Sequence, residues 1–229
     1  KRRPWPGGPP PPYASQEWLA DLLSGLLVLM VVVHAGGAFQ NTRWEAYYRA
    51  ALGGDEQPDL LASLEHWDWR LVVAFLLIGL STTVTFVVWS VCCCRNLPAL
   101  GRTEPRYSPA RVGLSWFLPL VCLWRPYLAI SEGIHFCERA RGRYRFLLLR
   151  SWWGLRLMAL FIGVQVSGLQ QLAADYTDES LRWVDMAAVS RVATFQHLLE
   201  IPAALLALAV VRRATCLQEA AFDRLSSSP

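Results

Sequence analysis

Four long apolar blocks constrain the fold of this chain more than any other feature of its sequence. They cover residues 18–39, 70–91, 152–173 and 186–211. Each is close to the 20 residues that a helix needs to cross the roughly 30 Å hydrocarbon core of a bilayer. Backbone groups in lipid must find their hydrogen bonds within the segment, so these blocks are predicted to be helices.

The alternative is a soluble all-α protein with buried helices. Blocks such as WLADLLSGLLVLMVVVHAGGAF disfavour it, because they have no polar face to turn toward water. The predicted fold class is therefore all-α, an integral membrane four-helix bundle. Its single transmembrane domain is expected over residues 18–225, between a proline-rich tail at 1–17 and a short tail at 226–229.

The distribution of arginine predicts the orientation of the bundle. Residues 92–151 contain ten arginines and three acidic residues, whereas residues 40–69 contain two arginines and six acidic residues. The link at 174–185 is mainly acidic, and the chain begins with Lys1, Arg2 and Arg3. Because basic residues collect on the cytoplasmic side of membrane proteins, both termini and the central segment are predicted to be cytoplasmic.

One further apolar segment, residues 112–130, is predicted to leave the membrane on the side from which it enters, or to lie in the interface. Its apolar part ahead of Arg125 is too short to span, and Pro119 interrupts a helix. Arginines on both sides place its two ends in the same compartment. Arg125 is expected to reach back to the lipid headgroups. The residues expected to pack against the bundle are Trp116, Phe117, Trp124 and Tyr127.

The same segment carries a sequence resemblance. The stretch RYSPARVGLSWFLPLVCLWRPYLAISEGI, preceded by Phe86-Val-Val-Trp89 and Arg95-Asn96, resembles a bacterial membrane family described as domain of unknown function 4328. The resemblance covers roughly residues 70 to 218 and implies a polytopic bacterial membrane protein, without implying any activity. Cys92-Cys93-Cys94 departs from the family pattern. The motif positions are Tyr107, Pro109, Trp116, Phe117, Pro119, Trp124, Arg125, Pro126 and Tyr127.

Polar residues inside the apolar blocks are the candidates for a functional site, because burying them in lipid is costly. His197 and Glu200 lie three residues apart, which puts them on one face of a helix. His34 and Gln165 occur within two other blocks. Together the four residues predict either a ligand or proton site, or structural hydrogen bonds worth about 0.6 kcal/mol each. Axial ligation of haem by the two histidines is a less favoured alternative, and otherwise no cofactor and no metal site is predicted.

The basic run and the lack of catalytic motifs lead to the expected partners and function. The basic run Arg139–Arg150 is expected to contact anionic lipids rather than nucleic acid, because it directly precedes an apolar block. The sequence lacks recognisable catalytic motifs, so no catalytic residue is assigned. We expect a non-catalytic accessory or assembly subunit of a larger complex in the bacterial inner (cytoplasmic) membrane, with the proline-rich tail as an arm toward other subunits. The alternative is a small transporter or a redox or ligand-binding membrane protein that uses the region of His197 and Glu200.

Overall fold

A computed structural model describes residues 12–55, 57–102, 105–138, 143–176 and 178–227, without the side chains of residues 143–146, 179 and 180. All regular structure within these ranges is helical, which confirms the all-α fold class. A 3-10 turn occupies Val121–Leu123. The α-helices are α1 (Glu17–Leu52), α2 (Pro58–Asn96), α3 (Pro109–Ser115), α4 (Arg125–Cys137), α5 (Arg143–Ala174) and α6 (Glu179–Ser226).

Four of these helices are long and apolar enough to cross a membrane, and each contains one predicted apolar block. All four helices extend well beyond their blocks at one end or both, because hydropathy marks only the lipid-length part of a helix and not its polar continuation. Local signals set the actual ends. Gly54, at a φ of 79° that favours glycine, follows the end of α1. Pro58 begins α2, where its missing N–H costs nothing.

The chain forms two compact units, which are described separately. The first unit comprises the described parts of Lys1–Leu27, Ser81–Ser151 and Leu206–Pro229. The second unit comprises the described parts of Val28–Leu80 and Trp152–Leu205.

In the first unit, the segment that the sequence predicts to be broken by proline is indeed broken. Helix α3 starts at Pro109, after Ser108 caps the backbone N–H of Arg111, and it ends at Ser115. The backbone N–H of Val121 then donates to the Pro119 carbonyl at 2.7 Å. This three-residue turn has Leu120 at a φ of 64°, a strained conformation for a side chain with a Cβ.

The break corrects one expectation about the aromatic residues of this segment. Trp116 does pack, since its ring meets Phe86 edge-on at 5.4 Å and its Nε1 donates to Ser90. Phe117 and Trp124, however, are 68% and 49% exposed, so the prediction that they pack against the bundle is wrong. Beyond Ser115 the chain no longer follows a helix, and these side chains leave the buried face that Val112 and Ser115 define on α3.

In the second unit, α5 packs through one narrow edge. Four of its buried residues recur every seven positions, which is two helical turns: Trp152, Ala159, Val166 and Ala173. Trp153, next to the first of them, is also buried. Val166 lies in a cluster with Val189 and Ala193 of α6, with Ile162 packed against it. A separate cluster joins the ends of α1, α2 and α6, where the indole of Trp44 stacks on Tyr48 at 5.3 Å and donates to Asp68 at 2.7 Å.

Candidate functional site

Two imidazoles from different helices meet in the second unit. Nδ1 of His34 on α1 lies 3.1 Å from Nδ1 of His197 on α6. At this distance one ring donates an N–H and the other accepts it, so the two rings share one proton between them. His34 is 7% exposed. Sequence reasoning singled out both histidines, and the structure brings them into direct contact.

The rings are held by apolar neighbours. Phe75 of α2 contacts both histidines, with its ring edge-on to His34 at 5.1 Å and nearly parallel to His197 at 5.4 Å. Gly37, one turn after His34, lies directly against the second imidazole. A Cβ at this glycine would come within 2.7 Å of Nε2 of His197. Gly37 therefore leaves the space that the His197 ring fills, and any larger residue would displace that ring.

An ion pair lies on the same face of α6. Oε1 of Glu200, one turn after His197, accepts a hydrogen bond from Arg156 of α5 at 2.8 Å. The glutamate side chain is only 11% exposed, whereas that of the arginine is 52% exposed. A carboxylate in a membrane-spanning helix needs such a partner, because an uncompensated charge in lipid is costly.

Sequence reasoning missed three residues of this site: Phe75, Gly37 and Arg156. A signal for Arg156 was present, because it is a cation inside the third apolar block and Glu200 is an acid inside the fourth. Charges within two apolar blocks predict a pair between helices. Phe75 and Gly37 have no such signal, since apolar and small residues are ordinary in these blocks.

Gln165 is placed elsewhere. Its side chain is exposed on α5 and has no hydrogen-bond partner among the described residues. The four residues singled out from the sequence therefore fall into a histidine pair, a glutamate held by arginine and an exposed amide.

As the two rings lie, their Nδ1 atoms are not placed as the two axial ligands of one haem. Two ligands on opposite sides of one metal ion are separated by about two bond lengths, roughly 4 Å for imidazole nitrogens. The Nδ1 atoms face each other at 3.1 Å, which leaves no room for an iron atom and its porphyrin between them.

The first unit contains a closed polar network that the sequence did not predict. Gln16, Cys93 and Gln218 are all buried. Nε2 of Gln16 donates to Gln218, Nε2 of Gln218 donates to the Cys93 carbonyl, and the Cys93 thiol donates to Oε1 of Gln16. These three bonds form a ring in which the side chain of each residue finds its partner within the group. A network of this kind fixes helices rather than leaving groups free for a ligand.

Separate contacts in the same unit secure the residues ahead of α1. Asn96 donates to the Ala14 carbonyl at 2.8 Å and accepts from the Ala14 N–H at 3.3 Å. Tyr13 stacks on Phe222 at 4.3 Å. Burial, together with the nearby carboxylate of Glu219, raises the pKa of Tyr13. The segment 13–16 is therefore a fixed part of the first unit.

Family-motif residues supply much of the packing in this unit. Trp89, with no exposed surface, donates to Thr215 at 3.1 Å and meets Phe86 edge-on. The guanidinium of Arg125 lies over the ring of Tyr107, and Pro126, the second residue of α4, is buried. These contacts are structural, and none of them forms a cleft with catalytic groups. The predicted lipid contact at Arg139–Arg150 falls largely outside the residues whose side chains are described.

The helices define a class: an all-helical protein with four segments suited to cross a membrane, hence a multi-pass membrane protein. Its family follows from residues 55–216, which match the family model described as "Domain of unknown function (DUF4328)". The match covers more than half of the 229 residues, and the chain belongs to this family, as the resemblance predicted. No curated protein and no solved structure matches the chain.

Proposed function

We propose that this chain is a non-catalytic accessory or assembly subunit of a larger membrane complex. The observation that carries the proposal is the uneven burial of the spanning helices. In their apolar membrane-length stretches, 39% of α1 and 33% of α6 are buried, against 11% of α2 and 17% of α5. Of the four spanning helices, α2 and α5 therefore leave the largest share of their membrane-length stretches unburied.

Polar groups on these free surfaces favour protein over lipid as their cover. Arg156 and Gln165 are exposed on α5, and Ser81 and Thr83 are exposed on α2. Lipid tails offer no hydrogen bonds to such groups, whereas a neighbouring helix does. Exposed apolar side chains do not distinguish a protein partner from lipid, because lipid covers them equally well. The exposed polar side chains are therefore the ones that indicate a protein partner.

The proposal includes a place in the cell. The alternation of basic and acidic segments supports a bacterial inner membrane protein with both termini in the cytoplasm. The proline-rich stretch that precedes Pro12 is then a cytoplasmic arm. Since Tyr13 and Ala14 are bound to the first unit, the arm starts at a fixed point.

The test is purification from the native host in mild detergent, followed by native mass spectrometry of the chain and of a variant that lacks residues 1–11. The subunit proposal predicts a complex of fixed stoichiometry. It also predicts that removing the arm weakens this complex without unfolding the chain, because Tyr13 and Ala14 are retained. A lone single chain in both samples would exclude the proposal.

A second candidate function is favoured by the His34–His197 contact. The chain would then be a small membrane transporter or ligand-binding protein that uses the histidine pair to carry a proton. The ring that donates from Nδ1 has a free lone pair on its Nε2, and the accepting ring has an N–H on its Nε2. A proton that binds the first Nε2 lets the shared proton pass to the second ring, which then releases its own Nε2 proton.

Gly37→Ala tests this candidate sharply, because the added methyl lies within 2.7 Å of Nε2 of His197. Proton flux into vesicles that contain the purified protein should fall, and His34→Phe should abolish it. The control is Gly25→Ala on the same helix, where an added Cβ meets nothing within 4 Å. Equal flux in all of these vesicles and in empty ones would leave the pair with a structural role only.

A further inference from the structure

We infer that a second copy of this chain docks on the exposed side of α5, with Gln165 at the centre of the contact. The inference rests on the proposed function, because it names one partner within the assembly. It concerns a row of exposed residues spaced alternately by four and three positions. This row, the α5 seam, consists of Gly154, Met158, Phe161, Gln165, Gly168 and Leu172.

The α5 seam lies opposite the edge through which α5 packs within its own unit. Phe161 follows the buried Trp152 by nine residues, which is two and a half turns of helix. Met158, Phe161 and Leu172 are 43%, 64% and 62% exposed. Alternating spacings of four and three residues are those by which two helices pack in a left-handed pair.

Gln165 supplies the specificity of the contact. A polar amide at one core position of a helix pair fixes register and the number of chains, as a buried asparagine does in coiled coils. A primary amide is both donor and acceptor, so it is complementary to a second copy of itself. In lipid, the amide of a lone copy would keep its donors and acceptor without partners.

The membrane makes this self-pairing geometrically direct. All copies of a chain insert with the same orientation, so a two-fold axis between two copies runs along the membrane normal. The two α5 helices are then parallel, and both Gln165 side chains lie at the same depth. Gly154 and Gly168 face open space, because a Cβ at either position would meet nothing within 4 Å in its own chain. Since glycine has no side chain, a second helix can approach closely at these two positions.

Cysteine cross-linking in native membranes tests the contact. Phe161→Cys and Gly168→Cys should form disulfide-linked dimers under mild oxidation, severalfold above the unmodified chain with its native cysteines. The matched control is Leu160→Cys, which is adjacent in depth and 46% exposed but faces about 100° away around the helix. Equal cross-linking at Leu160 and Phe161 would overturn the inference.

Self-association measured by energy transfer in vesicles gives the second test. Gln165→Leu should weaken it about threefold to tenfold, from the loss of one or two interhelical hydrogen bonds. Gly168→Leu should abolish it, whereas Gly79→Leu on α2, another glycine with open space, should leave it unchanged. Unaltered association in both α5 variants would refute the seam. If the chain is monomeric here yet retains a different subunit in mild detergent, only this inference fails and the proposed function survives.

Discussion

The two units of this protein treat their polar groups in opposite ways. In the first unit, Gln16, Cys93 and Gln218 satisfy one another, and Asn96 binds the backbone of Ala14 on both sides. In the second unit, the polar groups of the spanning helices include a histidine pair, an ion pair and several exposed side chains. A closed network of hydrogen bonds holds helices in place. Polar groups with unused donors or acceptors, in contrast, are available for a proton or a partner.

The family motif follows this division. Phe86, Trp89, Trp116 and Pro126 belong to the first unit, where they pack tightly. The histidine pair belongs to the second unit. We therefore expect substitutions in the first unit to change stability and substitutions in the second unit to change function or assembly.

The largest expected effect is that of Trp89→Ala. Trp89 has no exposed surface and donates a hydrogen bond to Thr215, so its loss should cost about 3–5 kcal/mol of unfolding free energy. Unfolding by denaturing detergent measures this value. Trp69→Ala is the control, since Trp69 is 69% exposed and should change stability by no more than about 0.5 kcal/mol. Similar losses of unfolding free energy in the two variants would show that the buried position of Trp89 does not stabilise the first unit.

The next prediction concerns the thiol of Cys137 at the end of α4. Burial raises its pKa to about 11, so at pH 8 only on the order of one thiol in a thousand is ionised. Because the thiolate is the reactive form, alkylation should be roughly a hundredfold slower than for an unperturbed thiol and should rise about tenfold per pH unit below pH 11.

Mass spectrometry of iodoacetamide-treated protein would follow this reaction against Cys216, which is exposed. Denatured protein provides the control, since both cysteines should then react at similar rates. Equally fast alkylation of the two cysteines in the folded protein at pH 8 would show that the thiol of Cys137 is accessible to solvent and not buried in the first unit.

Much of this architecture was predictable from the sequence, for definite physical reasons. Lipid-length apolar blocks indicated four helices, and Pro119 indicated the broken segment. The exposed positions of Phe117 and Trp124 were not predictable, because the turn at Leu120 depends on tertiary packing. The pairing of His34 with His197 was also hidden, since two residues 163 positions apart give no local signal.

A smaller effect is expected in the second unit. His34→Phe should cost about 0.6 kcal/mol of unfolding free energy, the average for one hydrogen bond between membrane helices. Phenylalanine keeps a ring next to Phe75, so packing is largely retained. The same detergent titration applies. A loss as large as that of Trp89→Ala would mean that the pair is part of the architecture.

The smallest effect is expected for Arg49→Ala. Arg49 pairs with Glu45, but its side chain is 59% exposed, and such pairs contribute about 0.5 kcal/mol or less. The melting temperature should therefore hardly change at any salt concentration. A marked loss of stability would indicate that Glu45, which Arg191 also contacts, depends on both arginines.

The central claim is that the free surfaces of α2 and α5 are covered by protein in the membrane. It is tested most directly by native mass spectrometry of the chain released from native membranes in polymer-bounded lipid discs, which keep the bilayer around it. We predict a mass well above that of one chain, composed of whole subunits in fixed ratio. A mass that corresponds to one chain and lipid alone would contradict the account.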